Sequence, residues 1–397
     1  MTTRQKLIHE EITRREFTRR EFIALVTTFA ALPVSHLIHA AHTDTSFESY
    51  GSYESAVAKI WQPITAPITD QSLLKRELVR YATLAASSHN TQCWKFKIAE
   101  NGIAIMPDFA RRCPAVDPDD HHLFVSLGAA TEYLVQAALY NGLYGEVNLG
   151  EVNVDANATQ VIDIALTPTK AINSPLFKAI PDRQCTRAEY DGNHLSVAEL
   201  NLLELAGTGD GVHILLHTEH QAMENVLAYV VAGNSIQMKD AAFVAELKSW
   251  IRFNAEDALL TSDGLYSATS GNPSIPKWLA SPIFNLLFNE KSENNKYSKH
   301  VRSSAGVAIF VSDKNDKAHW VEVGRCYERF ALQATALGIR HAFINQAAEV
   351  TTARQQFADH LNIDESAGGG RIDLVMRFGR GNLMPKSLRR PVDAVLV

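Results

Sequence analysis

Hydrophobic and polar positions along this chain alternate with two periods. Leu74, Leu78, Tyr81 and Ala85 recur at helical spacing, and Asp70 or Ser72 is placed to open that helix. Trp94, Phe96 and Ile98 then alternate with Lys95 and Lys97, the two-residue period of a strand with one buried face. Asn101-Gly102 reads as a hairpin turn that returns the chain through Ile103–Met106. A stretch from about Leu123 to Tyr140, closed by Asn141-Gly142, predicts a second helix. Further strands are expected at Ile162–Leu166, Ala305–Val311, Ile339–Asn345 and Ile372–Phe378. Helices are expected from Ser174-Pro175 through Ile180, behind the Ser196/Glu199 capping box, across most of Glu219–Phe253, over Trp320–Leu337 and near Thr352–Leu361. Gly264 to Pro282 is rich in Gly, Ser and Pro and predicts a long loop of the kind that forms lids. The polar run Glu290–His300 is expected to be exposed.

The helical pattern repeats. Shifted forward by 196 positions, Phe124 meets Trp320, Val125 meets Val321, Gly128 meets Gly324, Glu132 meets Glu328 and Gly142 meets Gly338. Ala104-Ile105 falls near Ala308-Ile309 at a similar offset. Two amphipathic helices share such features by chance often enough to keep that alternative open. The other reading is a mixed α/β chain of two related halves, an internal pseudo-dimer with room for a ligand between them.

Composition narrows the picture. The chain has 397 residues, 46% hydrophobic and 21% charged, which is globular rather than disordered. A net charge of −6 leaves no basic footprint for nucleic acid. No apolar run is expected to reach the ~18 residues of a spanning helix, so no stable membrane span is expected in the mature chain. At the N-terminus, Thr18-Arg19-Arg20-Glu21-Phe22 precedes an apolar stretch to Leu32, then Pro33 and small residues near Ala40 and Ala41. This is the order of an export signal. Its arginine pair resembles the twin-arginine type, which implies the twin-arginine export machinery as a partner and a periplasmic location. The expected organisation is a signal over 1–41, a linker with a short helix over 42–69, one half over 70–182 and a second over 183–397. The second half carries a lid-like insertion at about 219–300.

No zinc signature, Gly-rich phosphate loop or G-x-S-x-G elbow is present. Cys93, Cys113, Cys185 and Cys326 lack metal-ligand spacing and are expected as small buried side chains, although an oxidising compartment permits a disulfide. His121-His122 after Asp119-Asp120 looks metal-like, but adjacent histidines diverge and no third ligand is suitably spaced. A solvated loop and no metal are expected there. Ser87, Ser88, His89, Asn90, Thr91 and Gln92 form a polar run between helix and strand. Their hydroxyls and amides could read a planar heterocycle with carbonyls and ring N–H groups, or merely cap the helix. In Arg183-Gln184-Cys185-Thr186-Arg187 two arginines share one face if the segment is helical, a fork arrangement suited to phosphate. Arg377, Arg380, Arg389 and Arg390 make the C-terminus basic. A solvated face with weak ion pairs is the plain alternative for both groups.

Together these features resemble the nitroreductase-like flavoproteins, and within them the long Acg-like branch with two fused halves. The family's helix–strand loop matches Ser87-Ser88-His89-Asn90-Thr91-Gln92-Cys93-Trp94, with Cys93 in place of the usual Pro. Its basic-x-Ser-x-basic segment matches Arg183–Arg187, with Cys185 replacing the hydroxyl residue, and its late basic pair matches Arg389-Arg390. The resemblance implies one FMN per chain. The isoalloxazine would lie against Ser87, Ser88, Asn90 and Gln92, and the phosphate against Arg183, Cys185, Arg187 and Arg389 or Arg390. It implies an FMN-dependent oxidoreductase of the nitroreductase type, with no catalytic side chain assigned and an unidentified substrate. Because soluble nicotinamides are expected inside the cell, the electron donor is also unassigned. The alternatives are a flavin-binding or storage protein without turnover, and a flavin-free interaction protein.

Overall fold

Strong capping signals start the helices where the sequence places them. The structure is a computed structural model that describes residues 52–154, 157–276, 284, 288–366 and 369–397. The export signal read over 1–41 lies outside the described residues, as does part of the Gly264–Pro282 loop. After α1 (Tyr53–Ile60), the Asp70 carboxylate accepts from the Leu73 amide to start α2 (Gln71–Thr83). The first half continues with β1 (Trp94–Ala99), β2 (Gly102–Pro107), α3 (His121–Tyr140), β3 (Leu143–Val154) and β4 (Asn157–Pro168). A connection follows through α4 (Pro175–Ala179) and α5 (Val197–Gly207), which Ser196 and Glu199 open with a reciprocal capping box.

The second half begins at β5 (Val212–His217) and is interrupted by α6 (His220–Lys239), α7 (Ala241–Trp250), β6 (Ile251–Arg252), α8 (Ala255–Thr261), β7 (Leu265–Tyr266) and α9 (Glu290–Arg302). The run expected to be merely exposed is thus a helix, capped by Asn289 on the Ser292 amide and packed on α6. The half resumes with β8 (Gly306–Ser312), α10 (Lys317–Ala336), β9 (Arg340–Phe343), α11 (Gln346–Glu349), α12 (Thr351–Leu361) and β10 (Arg371–Gly379).

Two four-stranded antiparallel sheets result, ordered β1-β2-β4-β3 and β5-β8-β10-β9. In each, one long helix joins the second strand in chain order to the third: α3 in the first, α10 in the second. The two halves therefore share one topology. β3, absent from the sequence expectations, pairs with β4 from Leu143–Pro168 to Val154–Asn157. The hairpin also turns one position earlier than expected. Ala99 pairs with Gly102, so Glu100 and Asn101 make the turn, and a side chain at 102 would strike the Ile164 carbonyl.

α3 and α10 pack face to face at the centre. A methyl group on Gly128 would overlap the Val321 carbonyl, and one on Gly324 would overlap that of Val125. The contact is reciprocal at an offset of 196 residues, as in an isologous interface. α3 is, among the described residues, the one helix long and apolar enough to cross a membrane, contrary to the expectation that no such run exists; 83% of that stretch is buried inside the protein. Its apolar character on all sides reflects that burial.

The halves also exchange arms. Val395 and Val397 bond both backbone groups of Phe96, along the free edge of β1. The Thr186 amide bonds the His341 carbonyl, along the free edge of β9. The 183–187 segment is consequently extended, not helical.

Candidate functional site

The loop after α2 holds three non-glycine residues in left-handed backbone conformation within four positions: His89 (φ 47°), Asn90 (φ 53°) and Gln92 (φ 54°). Such conformations cost on the order of 1 kcal/mol or more each and persist where surroundings over-determine them. Here the surroundings come from three parts of the chain. Asn90 Nδ2 donates to the carbonyls of Gly264 (3.0 Å) and Leu388 (3.3 Å). Gln92 Nε2 donates to the Ser262 carbonyl (2.8 Å), while its Oε1 accepts from the Arg390 amide (2.7 Å). The Gln92 amide donates to Ser87 Oγ at 2.9 Å.

The start of the loop is held by charge. Arg183 Nη2 donates to the Leu84 carbonyl at 2.7 Å, and Arg389 Nη2 donates to those of Leu84 and Ala85, both at 3.1 Å. Glu328 Oε1 accepts from the Ala86 amide at 2.8 Å. Arg183 also reaches Tyr133 Oη (2.7 Å) and lies 3.6 Å from the second oxygen of Glu328. Both members of this pair are fully enclosed. Burial raises the Glu328 carboxyl, Arg183 opposes that rise, and the guanidinium itself stays charged.

A cavity of about 1520 Å³ opens beside this loop, between the halves and beneath the insertion. Ser87, Ser88 and His89 line one side together with Ser126 of α3. Arg187 stands on the wall with Tyr327 and Phe343 from the second half. Phe243, Phe253 and Phe284 close it from the insertion. Arg187 is the one arginine among the described residues without a hydrogen-bond or ion-pair partner. Burial, and next the charge of Arg187, push His89 down to about 4, so its imidazole is neutral at pH 7.

Of the nine residues singled out from the sequence, Ser87, Ser88 and Arg187 line this cavity. Asn90, Gln92, Arg183 and Arg389 are buried and bonded to the protein as described above. Cys185 is half-buried, with its Sγ 3.8 Å from Tyr327 Oη. Arg390 Nη2 donates to the Ala394 carbonyl at 2.6 Å. The basic C-terminus is not a solvated face. Arg389 packs over Trp61, and Arg377 is buried over Tyr190 while donating to the Ala188 carbonyl at 2.7 Å. All four cysteines are free; Cys93, Cys113 and Cys326 are buried.

The sequence reading missed a second group. Asp117, His121 and His122 are all buried, not solvated, and their ligand atoms lie within 4.8 Å of one another. Asp373, 252 residues from His121, supplies a carboxylate 2.8 Å from His121 Nε2. No local pattern announces that partner. His89 was also passed over, although its place inside the polar loop marked it.

No family model matches the chain. Among curated proteins, the "Putative NAD(P)H nitroreductase" of Mycobacterium tuberculosis, from two strains, is 23% identical over 333 residues, covering 81% of this chain and 90% of the relative. Among solved structures, an FMN-dependent nitroreductase from Mycobacterium smegmatis in complex with NADPH aligns with TM-score 0.36 and 14% identity, over 54% of this chain and 94% of its own. A nitroreductase with bound FMN from Bacteroides fragilis aligns with TM-score 0.34 and 13% identity, over 55% and 96%.

Proposed function

We propose that this chain is an FMN-dependent oxidoreductase of the nitroreductase type, holding one flavin in the cavity between its halves. The observation that carries the reading is the meeting of Ser87 and Ser88 with an uncommitted guanidinium, Arg187, around one cavity where two halves of like topology join. The name given to the Mycobacterium tuberculosis relatives supports the same reaction class.

The residues present fit the group. A phosphate calls for a cation whose fork is free, and Arg187 has no hydrogen-bond or ion-pair partner among the described residues. Ser87 and Ser88 offer hydroxyls to ring carbonyls and N–H groups. Tyr327 and Phe343 offer aromatic surface to a planar ring system. When bound, the flavin supplies the hydride and electron transfer that no side chain here performs. The chain's part is positional. Arg187 would fix the phosphate, and the serines would orient the rings. Arg183, Arg389 and Glu328 hold Leu84–Ala86 so that the loop keeps its place. The phenylalanines of the insertion would keep water from the reacting face.

We further propose that the N-terminal segment is a twin-arginine signal and that the protein works in the periplasm, with an electron donor other than a soluble nicotinamide. Fractionation of cells expressing the full chain and its Arg19→Lys/Arg20→Lys variant tests the address: equal export of both would refute it. Purified protein titrated with FMN, then assayed anaerobically for nitroaromatic reduction with a chemical reductant, tests the activity. One equivalent bound with turnover is expected. Failure to bind FMN overturns the reading, and binding without turnover makes the protein a flavin carrier.

A further inference from the structure

We infer that Asp117, His121 and His122 form a binding site for a divalent first-row transition ion, which clasps the two halves together. The site adjoins the flavin cavity, whose lining includes His122 and Glu349, and needs no flavin to hold its ion. Three observations build it.

First, the donor atoms are enclosed and uncommitted. His121 Nδ1 and His122 Nε2 are buried without a hydrogen-bond partner among the described residues, His121 being 1% and His122 6% exposed. Buried nitrogens left without a partner are destabilising unless something occupies them. Second, the outer shell is already in place. His121 Nε2 meets Asp373 Oδ1 at 2.8 Å, and the other oxygen of Asp373 accepts from the Ser312 amide at 2.9 Å. A carboxylate behind one imidazole nitrogen leaves the opposite nitrogen as the metal ligand. Glu349, held by Gln237 at 2.6 Å, stands 3.9 Å from His122 Nδ1, at ion-pair distance rather than hydrogen-bonded. Third, the carboxylate is oriented. Asp117 accepts from the His122 and Leu123 amides, both at 3.0 Å, and each oxygen keeps a lone pair.

These residues border a small pocket of about 330 Å³, which leaves room for a water or an additional ligand. The two arginines on its rim, Arg354 and Arg371, are paired with Glu365 and Asp119 and do not neutralise Asp117. Two imidazoles and one carboxylate select a transition ion over calcium or magnesium. Ligands about 2.0–2.2 Å from one ion lie closer together than 4.8 Å, so binding draws the three side chains inward. The ligands belong to the first half and the outer-shell acids, Asp373 and Glu349, to the second.

The test uses full-length protein without a histidine tag, freed of metal by a chelator and dialysed. Calorimetric titration with Zn²⁺ is expected to give one ion per chain. His121→Gln and His122→Gln are each expected to weaken binding by about 10- to 100-fold. Co²⁺ bound to the wild type is expected to show visible ligand-field bands of a nitrogen-ligated ion. Absence of saturable Zn²⁺ binding, binding by both variants as tight as that of the wild type, or equally tight binding of Mg²⁺ overturns the site. Should the variants fail to fold, the wild-type Co²⁺ spectrum decides, and a spectrum no different from the aqueous ion overturns it.

Discussion

Gly128 and Gly324 lie 196 positions apart, and each rests on the helix that carries the other, against the carbonyls of Val321 and Val125. The close approach leaves no room for a β-carbon on either side. Alanine favours a helix interior over glycine by ~1 kcal/mol, but forcing two packed helices apart costs more. Gly128→Ala and Gly324→Ala are each expected to lose about 1–3 kcal/mol of stability. Urea unfolding of the two variants should show losses of similar size; a gain at either position would mean that the helices are not in this contact.

Glu328 is the sole carboxylate beside Arg183 among the described residues and also holds the Ala86 amide. Removing it leaves a guanidinium enclosed without a counter-charge. Glu328→Ala is expected to cost ~3–5 kcal/mol, measured by chemical unfolding. The double variant Glu328→Ala/Arg183→Met should recover part of that loss, because the stranded charge is gone.

Arg187 and Arg389 should separate ligand binding from folding. Loss of a charge-assisted contact is worth about 1.5–3 kcal/mol, so Arg187→Ala is expected to weaken FMN by roughly ten- to hundredfold while the melting temperature barely moves. Arg389→Ala should lower the melting temperature, since it strips donors from the Leu84 and Ala85 carbonyls. Flavin fluorescence titration beside thermal unfolding checks both.

His341 predicts an acid response. Burial, and next the nearby Arg183, push its imidazole down to about 3, and both ring nitrogens lack partners. The unfolded chain then binds more protons than the folded one between about pH 6.5 and 3. The neutral histidine is fully tolerated above pH 6.5, and stability is lost as pH falls through that window. Relative to His341→Leu, the wild type should lose up to ~1.4 kcal/mol per pH unit there. Asp117 and Asp373, both pushed up by burial to about 7, act in the opposite direction but equally in both proteins. Urea midpoints measured from pH 7 to 4 give the difference.

The duplication was legible because a reciprocal helix contact demands small residues at matching places, and Gly128 and Gly324 satisfy that demand in the bare sequence. Capping residues such as Asp70 and Ser196 were equally plain, since caps act over three positions. What stayed hidden was direction and distance. Asn90 and Gln92 carry the hydrogen-bonding chemistry expected of ring contacts, yet positive φ turns them toward Gly264, Ser262 and Leu388. Arg183 and Arg389 looked like phosphate ligands, but their acceptors are backbone carbonyls, which leave no trace in composition. His121-His122 looked solvated because Asp373 is remote in sequence. β3 was not read although Val147 and Leu149 alternate with Glu146, Asn148 and Gly150, because the alternation is short and its glycines are weak strand formers.

The pairing of Val395 and Val397 with Phe96 has a consequence for folding. The outermost hydrogen bonds of the amino-terminal sheet are contributed by residues almost three hundred positions downstream. That sheet therefore reaches its finished form only once two distant segments have met, a long-range closure of the kind that slows folding. Deleting residues 395–397 would unseal a layer built almost three hundred positions upstream.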